Sequence, residues 1–149
     1  MINQKTRLIE RKINNTFFYV CLFITFLALG MILIRFFTRG QYPEIGISIF
    51  YIGVLLIYSL HKETIRWITE KESEEKKQKP GEWFVFVWII VATLLYLINF
   101  FSKDYYRFSP NGQELYILTE AAFIALEVGA VFILARILKI ITLLSLGRK

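Results

Sequence analysis

Four apolar segments decide what this chain can fold into: residues 17–37, 43–60, 83–101 and 115–134. A transmembrane helix needs roughly 17–25 mostly apolar residues, and the second segment meets this length only if its helix begins near Tyr42 or continues past Leu60. A mean hydropathy of +0.50 and a 56% share of hydrophobic residues are too high for a soluble domain of 149 residues. The segments therefore predict an all-α integral membrane protein, a four-helix transmembrane bundle.

Basic residues are distributed unevenly between these segments. Of the 18 lysines and arginines, 14 lie before residue 17, within residues 61–82 or after residue 135, and 4 lie in the two other connections. By the positive-inside rule, both termini and the middle connection are expected to be cytoplasmic. The prediction is a multi-pass protein of the cytoplasmic (plasma) membrane, built as two helical hairpins. The net charge is +6, but the basic residues lie where the chain is expected to meet the membrane surface. Nucleic-acid binding is therefore not expected.

Two segments outside the predicted spans also have helical patterns. Residues 61–82 carry oppositely charged side chains four positions apart, so span two is expected to continue as a charged cytoplasmic stalk. In residues 135–149, Arg136 and Lys139 lie on one side of a helix. This predicts an amphipathic tail helix in the membrane interface, with its basic side towards anionic lipid headgroups. The whole chain is expected to form a single membrane domain.

The fourth apolar segment carries two carboxylates in its interior, Glu120 and Glu127. Helix positions seven apart differ by about 20° in direction, so both acids lie on one face, two turns apart. On the opposite face, small residues recur every four positions and allow close approach of a neighbouring helix. These small residues are Ala121, Ala125 and Gly129. Lipid suits neither face, so this helix is expected to lie between neighbours.

Glu127 is the residue where a function is first expected. An ionised carboxylate near the bilayer midplane is costly, so this side chain is expected to be either neutral or paired. Three polar side chains, none of them basic, are expected at its depth: Thr25, Tyr58 and Thr93. We predict a neutral carboxyl group that is hydrogen-bonded to one of them. Two roles stay open, a proton- or cation-coupling site and a structural contact between helices or subunits.

Glu120 is expected nearer the outer surface, at the depth of Arg35 and Asn99. An Arg35–Glu120 ion pair is the predicted contact, and the alternative is that Arg35 extends to the lipid headgroups. No catalytic or metal site is predicted, because one histidine and one cysteine cannot supply the usual zinc ligands. No nucleotide-binding or other cofactor motif is present in the sequence, so no cofactor is expected.

Residues 34–42 and 98–106 align without gaps at an offset of 64. The sequences IRFFTRGQY and INFFSKDYY share four identical positions and two conservative ones. If the likeness reflects a duplication, the two hairpins are related by a pseudo-twofold axis along the membrane normal. Small membrane proteins draw on few residue types, so a chance likeness is the alternative.

Two function classes follow from these observations. The first is a non-enzymatic membrane subunit or scaffold that packs through span four, either as a homo-oligomer or with a membrane partner protein. The second is a small oligomeric proton- or cation-coupled transporter or channel that uses Glu127. A transporter should enclose a cavity that reaches Glu127 from one side of the membrane. A scaffold should cover Glu127 with its partner.

Overall fold

The computed structural model describes residues 4–43, 46–69 and 83–146. Within these residues the chain forms four α-helices and one short 3₁₀ helix. The α-helices are α1 (Gln4–Phe37), α2 (Ile47–Thr69), α3 (Trp83–Phe101) and α4 (Ile117–Leu146), and the 3₁₀ helix is Tyr105–Arg107. Three stretches in these helices are long and apolar enough to cross a membrane: Lys12–Phe37, Trp83–Phe101 and Ile117–Leu138. The described chain thus has the all-helical character of a membrane protein.

Helices α1 and α4 are both longer than the predicted spans. α1 has 34 residues, about 51 Å, and includes the basic segment before residue 17, since no proline interrupts it. α4 has 30 residues, about 45 Å, and continues past residue 134 to Leu146. The separate tail helix expected at residues 135–149 is therefore not seen, and its described part extends α4. No glycine or proline follows Gly129 within the helix, so the local sequence does not favour a bend.

Helix α2 begins at Ile47, later than the predicted residue 43. Pro43 and Gly46 precede it, and both residue types are unfavourable inside a helix. Its apolar part, Ile47–Lys62, is about 24 Å long and is shorter than a hydrocarbon core of about 30 Å. The helix then continues to Thr69, in the direction of the predicted stalk. Residues 70–82 of that stalk lie outside the described residues.

Helix α4 is the helix that the other three contact. It packs along α2 and α3, while α1 packs mainly on α2 and makes a smaller contact with α4. The five largest fully buried side chains come from α1, α2 and α3: Phe36, Tyr51, Tyr58, Phe84 and Trp88. An aromatic contact of 5.7 Å between the rings of Phe18 and Phe84 joins α1 to α3. The small-residue face of α4 therefore lies against other helices, as expected, whereas the side that carries Glu127 is exposed.

A chain of buried hydrogen bonds joins three of the helices. The Trp88 indole N–H of α3 donates to the Tyr51 hydroxyl of α2 at 2.9 Å. The hydroxyls of Tyr51 and Thr25 are 3.2 Å apart, and the Thr25 hydroxyl donates to the Cys21 carbonyl of α1 at 2.7 Å. Since Thr25 uses its proton on Cys21, the Tyr51 hydroxyl is left to donate to Thr25. The side-chain groups of Trp88, Tyr51 and Thr25 are therefore all hydrogen-bonded, as a low-dielectric core favours.

The turns that follow α1 and α3 have the same backbone geometry at the offset of the sequence repeat. The N–H groups of residues 38–41 and 102–105 donate to carbonyls at identical relative positions, at 2.8–3.4 Å and 3.0–3.2 Å. Two matched pairs have positive φ, 54° and 53° at Arg39 and Lys103, and 74° and 62° at Gly40 and Asp104. The sequence repeat is thus also a repeat of local structure. The end of the bundle that holds both turns is called the loop end below.

Candidate functional site

The small-residue face of α4 is buried within this chain. Ala121 is fully buried and Ala125 nearly so. A Cβ atom added to Gly129 would lie 3.9 Å from the Val85 side chain of α3, an ordinary van der Waals contact, so Gly129 faces α3. These residues therefore pack helices of one chain together, and they are not free to contact another subunit.

Arg35 and Glu120 form an ion pair at the loop end. Arg35 Nη1 donates to Glu120 Oε2 at 2.5 Å, and each side chain is only 15% exposed. Arg35 lies in the last turn of α1 and Glu120 in the first turn of α4, so each charge also has the sign that its helix end favours. The predicted contact is present, and it joins the first helix to the last.

Asn99 lies at the loop end but does not contact Glu120. Its Nδ2 donates to Asp104 Oδ1 at 2.7 Å, and the side chain is buried. Asn99 is the residue of α3 that matches Arg35 of α1 at the offset of 64. Both side chains thus hold a carboxylate near the end of their helix, and the tight turn after α3 brings Asp104 closer to Asn99 than Glu120 is.

The structure places Glu127 differently from the prediction. Its side chain is exposed on the outside of the bundle, and no hydrogen bond or ion pair joins it to any described residue. Of its three expected partners, Thr25 is committed to Cys21 and Tyr51, and Thr93 donates to the Ile89 carbonyl at 2.7 Å. The third, the Tyr58 hydroxyl, is buried without a hydrogen-bond partner among the described residues.

Helix geometry puts both acids at the same edge of α4, and the end of α1 makes their surroundings differ. Each acid precedes a fully buried residue by one position, Ala121 for Glu120 and Val128 for Glu127, and so points about 100° away from the packed face. Both acids therefore lie at the edge of that face. At Glu120 the end of α1 covers this edge with Arg35, whereas none of the described residues covers it at Glu127.

An open groove of about 370 Å³ runs along this edge. It lies between the start of α2 and the first half of α4, and it follows α4 from Tyr116 to Glu127, about 16 Å. The lining residues are Ser48, Tyr116, Thr119, Glu120, Phe123, Ile124 and Glu127. The groove is therefore a largely apolar surface with a few polar side chains on the outside of the bundle, and it ends at Glu127, in the middle of the apolar stretch Ile117–Leu138.

One contact at the loop end was missed in the sequence. The Arg39 guanidinium donates to the carbonyls of Phe108 and Ser109 at 2.8 and 3.1 Å, and it lies 4.2 Å from the centre of the Tyr105 ring. This ties the first connection to the third. The available signal was the repeat itself, which puts a cation in each turn.

Other charged side chains lie outside the groove. In the third connection Arg107 donates to Glu114 at 2.7 Å, and that hydrogen bond, with the charge of Glu114, raises the pKa of Arg107. At the other end of α4, Arg136 is exposed. The Lys139 side chain, predicted to share its contact with lipid headgroups, lies outside the described atoms.

The groove presents carboxylate, hydroxyl and aromatic side chains. In the described part of the chain, no three His, Cys, Asp or Glu side chains lie close enough to hold a metal ion. Comparison with known protein families, with characterised proteins and with solved structures finds no match to this chain. Function has to be argued from the groove and from Glu127.

Proposed function

We propose that the protein is a non-enzymatic, multi-pass membrane subunit that assembles with another membrane protein through the α4 groove. The observation that carries the proposal is Glu127, a carboxyl group in the middle of an apolar stretch, exposed on the outside of the bundle. A charged carboxylate at the centre of a lipid-facing helix costs about 2.5–3.5 kcal/mol on insertion scales. A protein partner that covers the groove removes Glu127 from lipid and offsets that cost.

The proposed topology has four spans in two hairpins, with both termini and the middle connection in the cytoplasm. The distribution of 14 against 4 basic residues supports this orientation. The apolar part of α2 is short, but the whole helix from Ile47 to Thr69 is about 34 Å long and can cross the hydrocarbon core with its charged end in the headgroups. In this topology the loop end faces outward and the groove lies in the outer leaflet.

A small proton- or cation-coupled transporter is the alternative. It would need a water-accessible cavity that reaches Glu127 from one side of the membrane. The groove at Glu127 is open, and its lining includes the exposed side chains of Tyr116, Phe123 and Glu127. This geometry favours a binding surface over a transport path within one chain.

Site-specific photocrosslinking in the protein's own membrane tests the proposal. A photoreactive amino acid replaces Phe123, which lines the groove and is 60% exposed. The matched control is Leu94 on α3, which is 51% exposed and lies at a similar distance from the loop end. We expect a discrete protein adduct from position 123 and only lipid adducts from position 94. Lipid adducts alone at both positions would contradict the proposal.

A further inference from the structure

The groove carries one carboxylate that the chain does not neutralise. Glu120 on its wall is already paired with Arg35. Glu127 at its end has no ion pair with any described residue. The groove therefore presents a single acceptor of positive charge, in the middle of the bilayer where water cannot screen it.

The described apolar stretches of a second copy offer no cation at that depth. In the described helices, the basic side chains of the apolar stretches lie at or near the ends of those stretches: Lys12, Arg35, Lys62 and Arg136. Copies in one membrane share an orientation, so the Glu127 side chain of a neighbouring copy would lie at the same depth as the Glu127 side chain of the first. A different protein has to supply the positive charge.

The surface around Glu127 has the form of a helix-docking stripe. Phe123, Glu127, Ala130 and Leu134 are all exposed, and their spacing of four, three and four residues puts them on one side of α4. Ala130 adds little bulk beside Glu127, so a helix laid along this stripe can approach closely. A single helix can contact all four positions at a small crossing angle.

From this charge and shape we propose that the groove binds a transmembrane helix of another protein that carries a lysine or arginine at mid-membrane depth, opposite Glu127. The proposal rests on the proposed function and names the chemistry of the partner. The Arg35–Glu120 pair is its counterpart within the chain, where the same edge of α4 already accepts a cation from a neighbouring helix.

Synthetic transmembrane peptides provide the test. The probes are labelled Leu/Ala helices of one length with lysine, leucine or glutamate at the centre, a position that stays at mid-depth in either orientation. Each is reconstituted with the purified full chain in phosphatidylcholine bilayers, and binding is measured by energy transfer. We expect the lysine peptide to bind about tenfold more tightly than the leucine peptide.

Three variants keep the test independent of folding. Glu127→Gln should remove the preference for lysine while leaving binding of the leucine peptide unchanged. Glu114→Gln, the same change at an acid in the third connection, should keep the preference. Glu127→Lys should reverse the preference towards the glutamate peptide, a gain that a misfolded protein cannot show.

The outcomes separate this inference from the proposed function. Equal binding of the lysine and leucine peptides to the wild type, or a lysine preference that survives in Glu127→Gln, would overturn the inference. So would self-association that depends on Glu127 and excludes the peptides, since the occupant would then be a second copy. If crosslinking from position 123 captures a protein while the peptide series shows no dependence on charge, the subunit function stands and only this inference fails.

Discussion

Glu120 and Glu127 are identical acids on one edge of α4 that differ in what lies beside them. Arg35 covers the first, and no described residue covers the second. The difference comes from the end of α1, which reaches the first turn of α4 but not its middle. At the residue scale, one acid is therefore a structural contact and the other is free to bind outside the chain.

Exchanging the charges of Arg35 and Glu120 should separate a specific pair from general destabilisation. Arg35→Glu or Glu120→Arg alone puts like charges together in a site only 15% exposed, and should lower the free energy of unfolding by about 3 kcal/mol. The double exchange should recover most of this loss. Thermal unfolding in detergent measures all three. If the double variant loses as much as the two single variants combined, the pair is not coupled.

Two buried tyrosines on α2 should respond oppositely to loss of the hydroxyl. Tyr51→Phe leaves the Trp88 N–H without its acceptor and should cost about 1–3 kcal/mol. Tyr58→Phe removes a buried hydroxyl that has no partner among the described residues, so stability should stay the same or rise. Denaturant titration of both variants checks this, and equal losses would mean that Tyr58 has a hydrogen-bond partner after all.

Helix α4 illustrates how one element serves several neighbours. Its small-residue face packs against α3 at Gly129, its first turn holds Arg35 of α1, and its exposed stripe borders the groove. At the scale of elements the two matched turns matter as much, because they give α1 and α3 the same ending. In both turns the chain leaves the helix through two residues in the left-handed region.

Two glycines in the connections should differ in how they tolerate alanine. Both have positive φ, 74° at Gly40 and 82° at Gly112, so either substitution should cost about 1 kcal/mol in backbone strain. Only at Gly40 would the new Cβ meet a side chain, 2.5 Å from Leu115 Cδ2. Gly40→Ala should therefore lose about 1 kcal/mol more than Gly112→Ala. In a Leu115→Ala background, Gly40→Ala and Gly112→Ala should lower the thermal unfolding temperature equally. If Gly40→Ala still costs more in that background, the extra loss does not come from the contact with Leu115.

At the scale of the whole molecule, α2 and α4 pack in the middle, with α1 on α2 and α3 on α4. This arrangement is the one that two related hairpins would form. The likeness is incomplete, because Phe36 is buried and stacks on Tyr106 at 4.6 Å, while its counterpart Phe100 is exposed. The repeat therefore describes the backbone better than the side-chain packing, and duplication stays a prediction.

Cysteine accessibility should decide whether α2 crosses the membrane. In a Cys21→Ala background, single cysteines replace Gln41, Asn111, Lys12 or Leu144, and intact cells are treated with an impermeant maleimide. With four spans, positions 41 and 111 should label while positions 12 and 144 should label only after permeabilisation. If α2 does not cross, positions 41 and 111 lie on opposite sides and label differently.

The sequence by itself determined what depends on local pattern and on distance along a helix. Hydropathy and periodicity were enough for the helical class, for burial of Ala121 and Ala125, and for placing Arg35 near Glu120. The last two residues could be matched because both lie near the outward ends of their predicted spans. The sequence repeat at residues 34–42 and 98–106 predicted that the two segments resemble each other, and their turns have the same backbone hydrogen bonds.

Only the tertiary structure decided which edge of α4 is covered and which is open. The direction of Glu127 is a property of its helix, but its exposure depends on where α1 and α2 stand around α4, and a one-dimensional pattern does not contain that placement. The same holds for Asn99, which bonds Asp104 in place of Glu120 because the turn after α3 folds back on itself. Depth in a bilayer can be read by counting residues, whereas rotation relative to neighbours is set by packing.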